Sequence, residues 1–145
     1  MAREASVRIG LNIRKLSGSI TLMDENISAG FTADVDGTKG PTPGALTIPT
    51  GGKAVSFEEL STPSLCVLKN SDATNYVSYG IYDPQTDVYY PLGELLPGES
   101  YVLRLSRDLQ EEYVGTGTGT TAANNQFFMK ADGADVEVTV KAFEK

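Results

Sequence analysis

Histidine and tryptophan are absent from this chain, and cysteine occurs once. Without histidine, a Ser-His-Asp or Cys-His arrangement has no base, so the commonest nucleophilic hydrolase machinery is excluded. Zinc loses its usual nitrogen and sulfur ligands for the same reason. A lone cysteine cannot close an intrachain disulfide. Cys66 lies in the apolar run Leu65-Cys66-Val67-Leu68, which reads as a small core residue rather than a nucleophile. Synthesis in a reducing compartment such as a cell's cytoplasm is the expectation. The first residues lack the apolar stretch of a signal peptide. No run approaches the roughly 20 apolar residues of a membrane span, so no membrane partner is expected.

Basic charge is also scarce. The chain carries 12 basic against 19 acidic residues, a formal net charge of -7 spread along its length. A partner with a phosphate backbone needs a basic surface, so no nucleic-acid partner is expected. Arg3, Arg8, Arg14 and Lys15 form the one locally basic stretch, within a strand or arm expected over residues 1–15.

What is present is alternation. Val7, Ile9, Leu11 and Ile13 alternate with Arg8, Gly10, Asn12 and Arg14, which predicts an antiparallel strand with one wet face. Ser17-Gly18 ends it. Ile20 and Leu22 begin a second strand, Asp24-Glu25-Asn26 reads as a turn, and Phe31, Ala33 and Val35 form a third. Residues 36–44 hold two prolines and three glycines, so they read as a long connection, extended at Pro41 and Pro43. Gly51-Gly52 predicts a tight turn. Asp83-Pro84 opens a turn and Pro97-Gly98 suits type II, with glycine at the positive φ. Asp132-Gly133 predicts a hairpin, and Val136, Val138, Val140 and Ala142 alternate with polar neighbours to the end. Residues 107–112 offer one helical turn, too short to stand alone. Residues 115–125 are a low-complexity Gly/Thr segment expected to be a flexible loop.

These signals predict an all-β fold: an antiparallel β-sandwich or jelly roll of about nine strands, with long loops and no significant helix. A chain of 145 residues fits one domain over 1–145 and can bury roughly 70 % of its unfolded surface.

No motif fixes a chemistry. A glycosidase needs two facing carboxylates, and no pair stands out among the acids. Asp34-Val35-Asp36-Gly37 begins like a calcium loop, but the glycine comes too early. Asp83 and Asp87 flank another turn. Gly115-Thr116-Gly117-Thr118-Gly119-Thr120 lacks the third glycine and the lysine of a phosphate loop. No catalytic residue, cofactor or metal is therefore expected, and the chain reads as a non-enzyme. Tyr76, Tyr79, Tyr82, Tyr89, Tyr90 and Tyr101 cluster, and exposed aromatics among them open an alternative, a carbohydrate-binding β-sandwich module for glycan or host attachment.

Three stretches resemble small β-sandwich structural proteins of tailed bacteriophages. One is Gly40-Pro41-Thr42-Pro43-Gly44-Ala45 ahead of a strand. Another is Leu65-Cys66-Val67-Leu68, a polar turn, then Tyr76-Val77. The third is Tyr90-Pro91-Leu92-Gly93-Glu94-Leu95-Leu96-Pro97-Gly98-Glu99 before Tyr101-Val102-Leu103-Arg104-Leu105. The likeness covers residues 40–145. It implies a non-enzymatic virion protein, made in the host cytoplasm and assembled in many copies as a head decoration, neck or tail component. Capsid decoration, or another head accessory role, is the expectation. Partners would be further copies of the chain and other virion proteins such as the major capsid protein. Partner-binding residues are expected in the basic stretch (Arg3, Arg8, Arg14, Lys15), at Pro41 and Pro43, among Tyr82, Tyr89 and Tyr90, and at Thr116 and Thr118.

Overall fold

A computed structural model describes residues 5–35, 39–57, 60, 62–106 and 126–145. Expectations placed on Arg3, Asp36, Gly37, residues 107–112 and the Gly/Thr segment with Thr116 and Thr118 lie outside the described residues. The chain falls into two compact units, Met1–Asp34 and Val35–Lys145. The sandwich thus occupies the second unit instead of the whole chain.

The first unit is a long hairpin of β1 (Ala5–Ser17) and β2 (Ile20–Ala33). Gly18 makes the turn at φ 59°, a left-handed conformation that glycine adopts without steric cost. Asp24, Glu25 and Asn26 do not turn the chain. They lie within β2, opposite Arg14, Ile13 and Asn12. Turn-forming residues stay extended here because β2 has solvent on both sides, so their polar side chains need no burial, and the ladder to β1 supplies their backbone partners. A register shift at Lys15/Leu16 absorbs the one-residue mismatch between the strands as a bulge.

The second unit is a sandwich of two four-stranded sheets. One has the order β3 (Thr42–Ile48), β10 (Val136–Glu144), β5 (Pro63–Asn70), β8 (Ser100–Arg104). The other has the order β4 (Lys53–Ala54), β9 (Gln126–Ala131), β6 (Val77–Asp83), β7 (Val88–Leu95). All ladders are antiparallel. Among the described residues the strands number ten, close to the nine or so expected. β10 sits between β3 and β5, and its burial alternates as the sequence pattern requires: Val136, Val138, Val140 and Ala142 are buried, Glu137 and Lys141 exposed. Each buried valine contributes about 1.5–3 kcal/mol relative to exposure. The core joins both sheets, with Ile48, Cys66 and Leu68 from one and Val77, Leu95, Phe127 and Met129 from the other.

Asp132-Gly133 is not a hairpin. β9 and β10 belong to different sheets, so residues 132–135 carry the chain across the sandwich. The reason lies in packing: β9 and β10 both present apolar faces to the shared core, and facing layers satisfy both. The Pro97-Gly98 turn forms as its chemistry requires, with Gly98 at φ 80° and Glu99 N donating to Leu96 O at 3.0 Å. Gly52 closes its turn at φ 84°, its amide donating to Pro49 O.

The 71–76 crossing is built on two side chains. Asn70 is fully buried. Its Nδ2 donates to Asn75 O at 2.9 Å and to Leu95 O at 3.1 Å, and its Oδ1 accepts from Asp72 N at 2.9 Å. Asp72 Oδ1 accepts from the amides of Asn75 and Thr74 at 2.6 and 2.7 Å. Those amides hold the Asp72 carboxyl below the ordinary aspartate value. A lowered folded pKa means support that is present above the unfolded value and lost as pH falls through the folded one. The urea midpoint of Asp72→Ala should therefore fall below that of the native chain near neutral pH, and the gap should close in strong acid.

The sandwich protects its open edges. β3 carries Pro43, β4 is two residues long, β8 is five, and β7 carries Pro91 and a register shift opposite Tyr79/Gly80. Proline, shortness and bulges are the devices that keep a sheet edge from recruiting another strand.

Candidate interaction surface

The hairpin has two unlike faces. Residues directly opposite across an antiparallel ladder share a face. Arg8 and Gly30, Asn12 and Asn26, and Arg14 and Asp24 form the polar one. Val7 and Phe31, Ile9 and Ala29, Leu11 and Ile27, and Lys15 and Met23 form the other, on which Ile13 stands opposite Glu25. From the pair of Ile9 and Ala29 to the pair of Lys15 and Met23 this second face is exposed, with Ile9 at 42 %, Leu11 at 46 %, Ile27 at 48 % and Met23 at 46 %, while Val7 and Phe31 are half-buried. Leu16, Ile20 and Leu22, near the tip and beyond the register shift, are also exposed. The alternation expected to mean one buried and one wet side thus leaves its apolar side in solvent.

The basic residues divide accordingly. Arg8 and Arg14 project from the polar face, whereas Lys15 stands on the apolar face near the tip. Pro41 is exposed just before β3, and Pro43 lies half-buried in β3 opposite Lys141.

The tyrosines do not form one platform. Tyr82 and Tyr89 are opposite one another on the outer face of their sheet and pack on Phe128, with ring centroids 4.9 and 5.1 Å away. Their hydroxyls are engaged: Tyr82 donates to Asp87 Oδ1 at 2.6 Å and Tyr89 to Ser78 Oγ at 3.0 Å. The Asp87 bond raises the Tyr82 phenol above its usual range, and burial raises that of Tyr89. Tyr90 pairs with Ile81 on the opposite face of β7 and is 53 % exposed at the sheet edge. Tyr79 points inward and stacks on Tyr101 from the facing sheet at 6.1 Å.

The turn carboxylates are likewise occupied. Asp83 accepts from Gln85 N at 2.9 Å and Thr86 Oγ1 at 2.8 Å, which lowers its pKa, the Thr86 bond most. With Asp87 bound to Tyr82, both acids serve the turn that joins β6 and β7.

Cys66 is buried and its thiol is pushed up to about 12 by desolvation. The thiolate is the reactive form, so the folded protein should leave an aromatic disulfide reagent uncleaved near neutral pH. Full reaction, one thiol per chain, should appear only in denaturant; rapid reaction of the folded chain would contradict the buried placement.

From sequence, the edge from Val7 to Ile13 reads as able to pair across copies, but side-chain contacts are expected at its basic residues and not at Ile9, Leu11, Ile13 or Ile27. A run alternating apolar and polar residues has the same form whether its apolar side meets a core or solvent. The signal that could have exposed it is length, since 13 and 14 residues on either side of one turn exceed what a sandwich strand commonly uses. No protein-family model, no curated protein and no solved structure matches this chain.

Proposed function

We propose that the chain is a non-enzymatic structural protein of a virus particle, a bacteriophage head accessory or decoration protein present in many copies. One observation carries this reading: the chain holds a long hairpin with an exposed apolar face as well as a sandwich that has its own core and guarded edges. Continuous exposed apolar surface of this kind marks an interaction site in a soluble protein. A subunit built into a shell needs such a face and needs no cleft. The resemblance of residues 40–145 to phage structural proteins supports a place in a particle, and the exposed face of the hairpin supports attachment through it. The glycan alternative is less well supported, because Tyr82 and Tyr89 lie on one face with engaged hydroxyls and Tyr90 on the other.

Purified capsids lacking accessory proteins, mixed with the chain and imaged by negative stain, test the reading. Regular added density on the shell is the expected result. A chain that binds neither capsid nor any other particle component removes the proposal.

A further inference from the structure

We infer that the hairpin joins copies of this chain head to tail, β1 of one copy pairing with β2 of the next, into a closed ring of three or more with the apolar face turned inward. Charge chooses the partner. β1 carries Arg8, Arg14 and Lys15 and no acid; β2 carries Asp24 and Glu25 and no base. A symmetric dimer joined through β1 and β1, or through β2 and β2, sets like-charged strands side by side. Pairing β1 with the next copy's β2 sets basic against acidic strand. The match holds at the level of single residues. Arg14 and Asp24 occupy the same height on the polar face, and Lys15 and Glu25 lie near the same end on the apolar face. Copies standing with their tips in one direction bring each pair together on its own side of the new sheet.

The backbone supports the same arrangement. In a two-stranded sheet each strand has one unpaired edge, and an isolated hairpin is marginally stable in water. The sandwich guards its edges with Pro43, Pro91, a bulge and short strands. The hairpin has long strands, no proline between residues 5 and 33 and a bulge only near its tip, at Lys15/Leu16, so most of its length keeps the form that recruits a further strand. A head-to-tail contact closes into a ring when the rotation permits. A closed sheet turns alternate residues inward, which here buries Val7, Ile9, Leu11, Ile27 and Phe31 together.

This inference rests on the assembly reading, yet the two fail separately: a monomer that still binds capsids overturns the ring and leaves the particle role standing. Sedimentation of the full chain tests it. The 15.5 kDa chain should sediment as three or more copies. The variants Arg14→Asp/Lys15→Glu and Asp24→Arg/Glu25→Lys should each fall to monomer while the sandwich keeps its thermal transition. Mixed in equal amounts, they should associate again in alternation, because each offers the strand that the other lacks; an even number of copies closes fully, and an odd number leaves one junction unmatched. A native monomer, a native dimer, or variants that stay assembled alone would overturn the inference. Variants that stay monomeric when mixed would do so as well, since a hairpin weakened only within its own chain gains nothing from a second variant.

Discussion

Replacing Asn70 by alanine should lower the stability of the sandwich by about 3 kcal/mol, a fall in Tm of roughly 10 °C for a domain of this size. Asn70 is fully buried at the end of β5. Its amide nitrogen ties two carbonyls, Asn75 O in the crossing and Leu95 O on β7 in the facing sheet. Its oxygen holds Asp72 N. Removing it strands three polar backbone groups, and an unsatisfied buried group costs about 1–3 kcal/mol, partly relieved where solvent can enter. Asn70→Asp sharpens the test. It keeps the acceptor for Asp72 N but points carboxylate oxygen at two carbonyls. Near neutral pH it should therefore be less stable than Asn70→Ala. Those carbonyls favour the protonated acid, so the folded pKa of the introduced group is raised. Stability should then recover as pH falls, the opposite sign from Asp72. Thermal melts of both variants across the acid range check this, and equal, pH-independent losses would contradict it.

The second large effect is expected at Gly80. A Cβ there would drive into the carbonyl oxygen of Tyr90 and approach Pro91 Cα at 2.8 Å. Both are backbone atoms of the paired strand, so no side-chain rotation relieves the clash. Gly80 also sits at the register shift between β6 and β7, where a bulge brings the two backbones close. Alanine normally suits a strand better than glycine does, yet Gly80→Ala should cost about 2–4 kcal/mol through overpacking. The loss should appear in urea denaturation, together with faster exchange of β7 amides. A neutral or stabilising substitution would show that the strands are not in this register.

The fold was legible in the sequence wherever a residue type fixes a local geometry. Pro97-Gly98 demanded its turn, and the valines of β10 demanded a strand with one buried face. What alternation does not encode is the partner. Asp132-Gly133 has the chemistry of a hairpin but joins strands in opposite sheets, because pairing across the sandwich is set by how two apolar faces close on one core. Asp24-Glu25-Asn26 has the composition of a turn but extends β2, because a solvated ladder tolerates polar residues on both sides. The same limit governs the candidate surface. The basic residues Arg8 and Arg14 stood out, while the apolar residues opposite them looked like ordinary core until their exposure was known.

Hydrogen exchange of the hairpin amides tests the central claim most directly. In a two-stranded hairpin standing alone, alternate amides from Ala5 to Ser17 and from Ile20 to Gly30 point away from the partner strand. If copies join edge to edge, those outward amides are bonded to a neighbour, and exchange should be slow at successive positions through residues 5–17 and 20–33. Slow exchange throughout both strands, lost in the Arg14→Asp/Lys15→Glu variant, is the predicted result. Rapid exchange at every second amide of both strands in the native chain would contradict it.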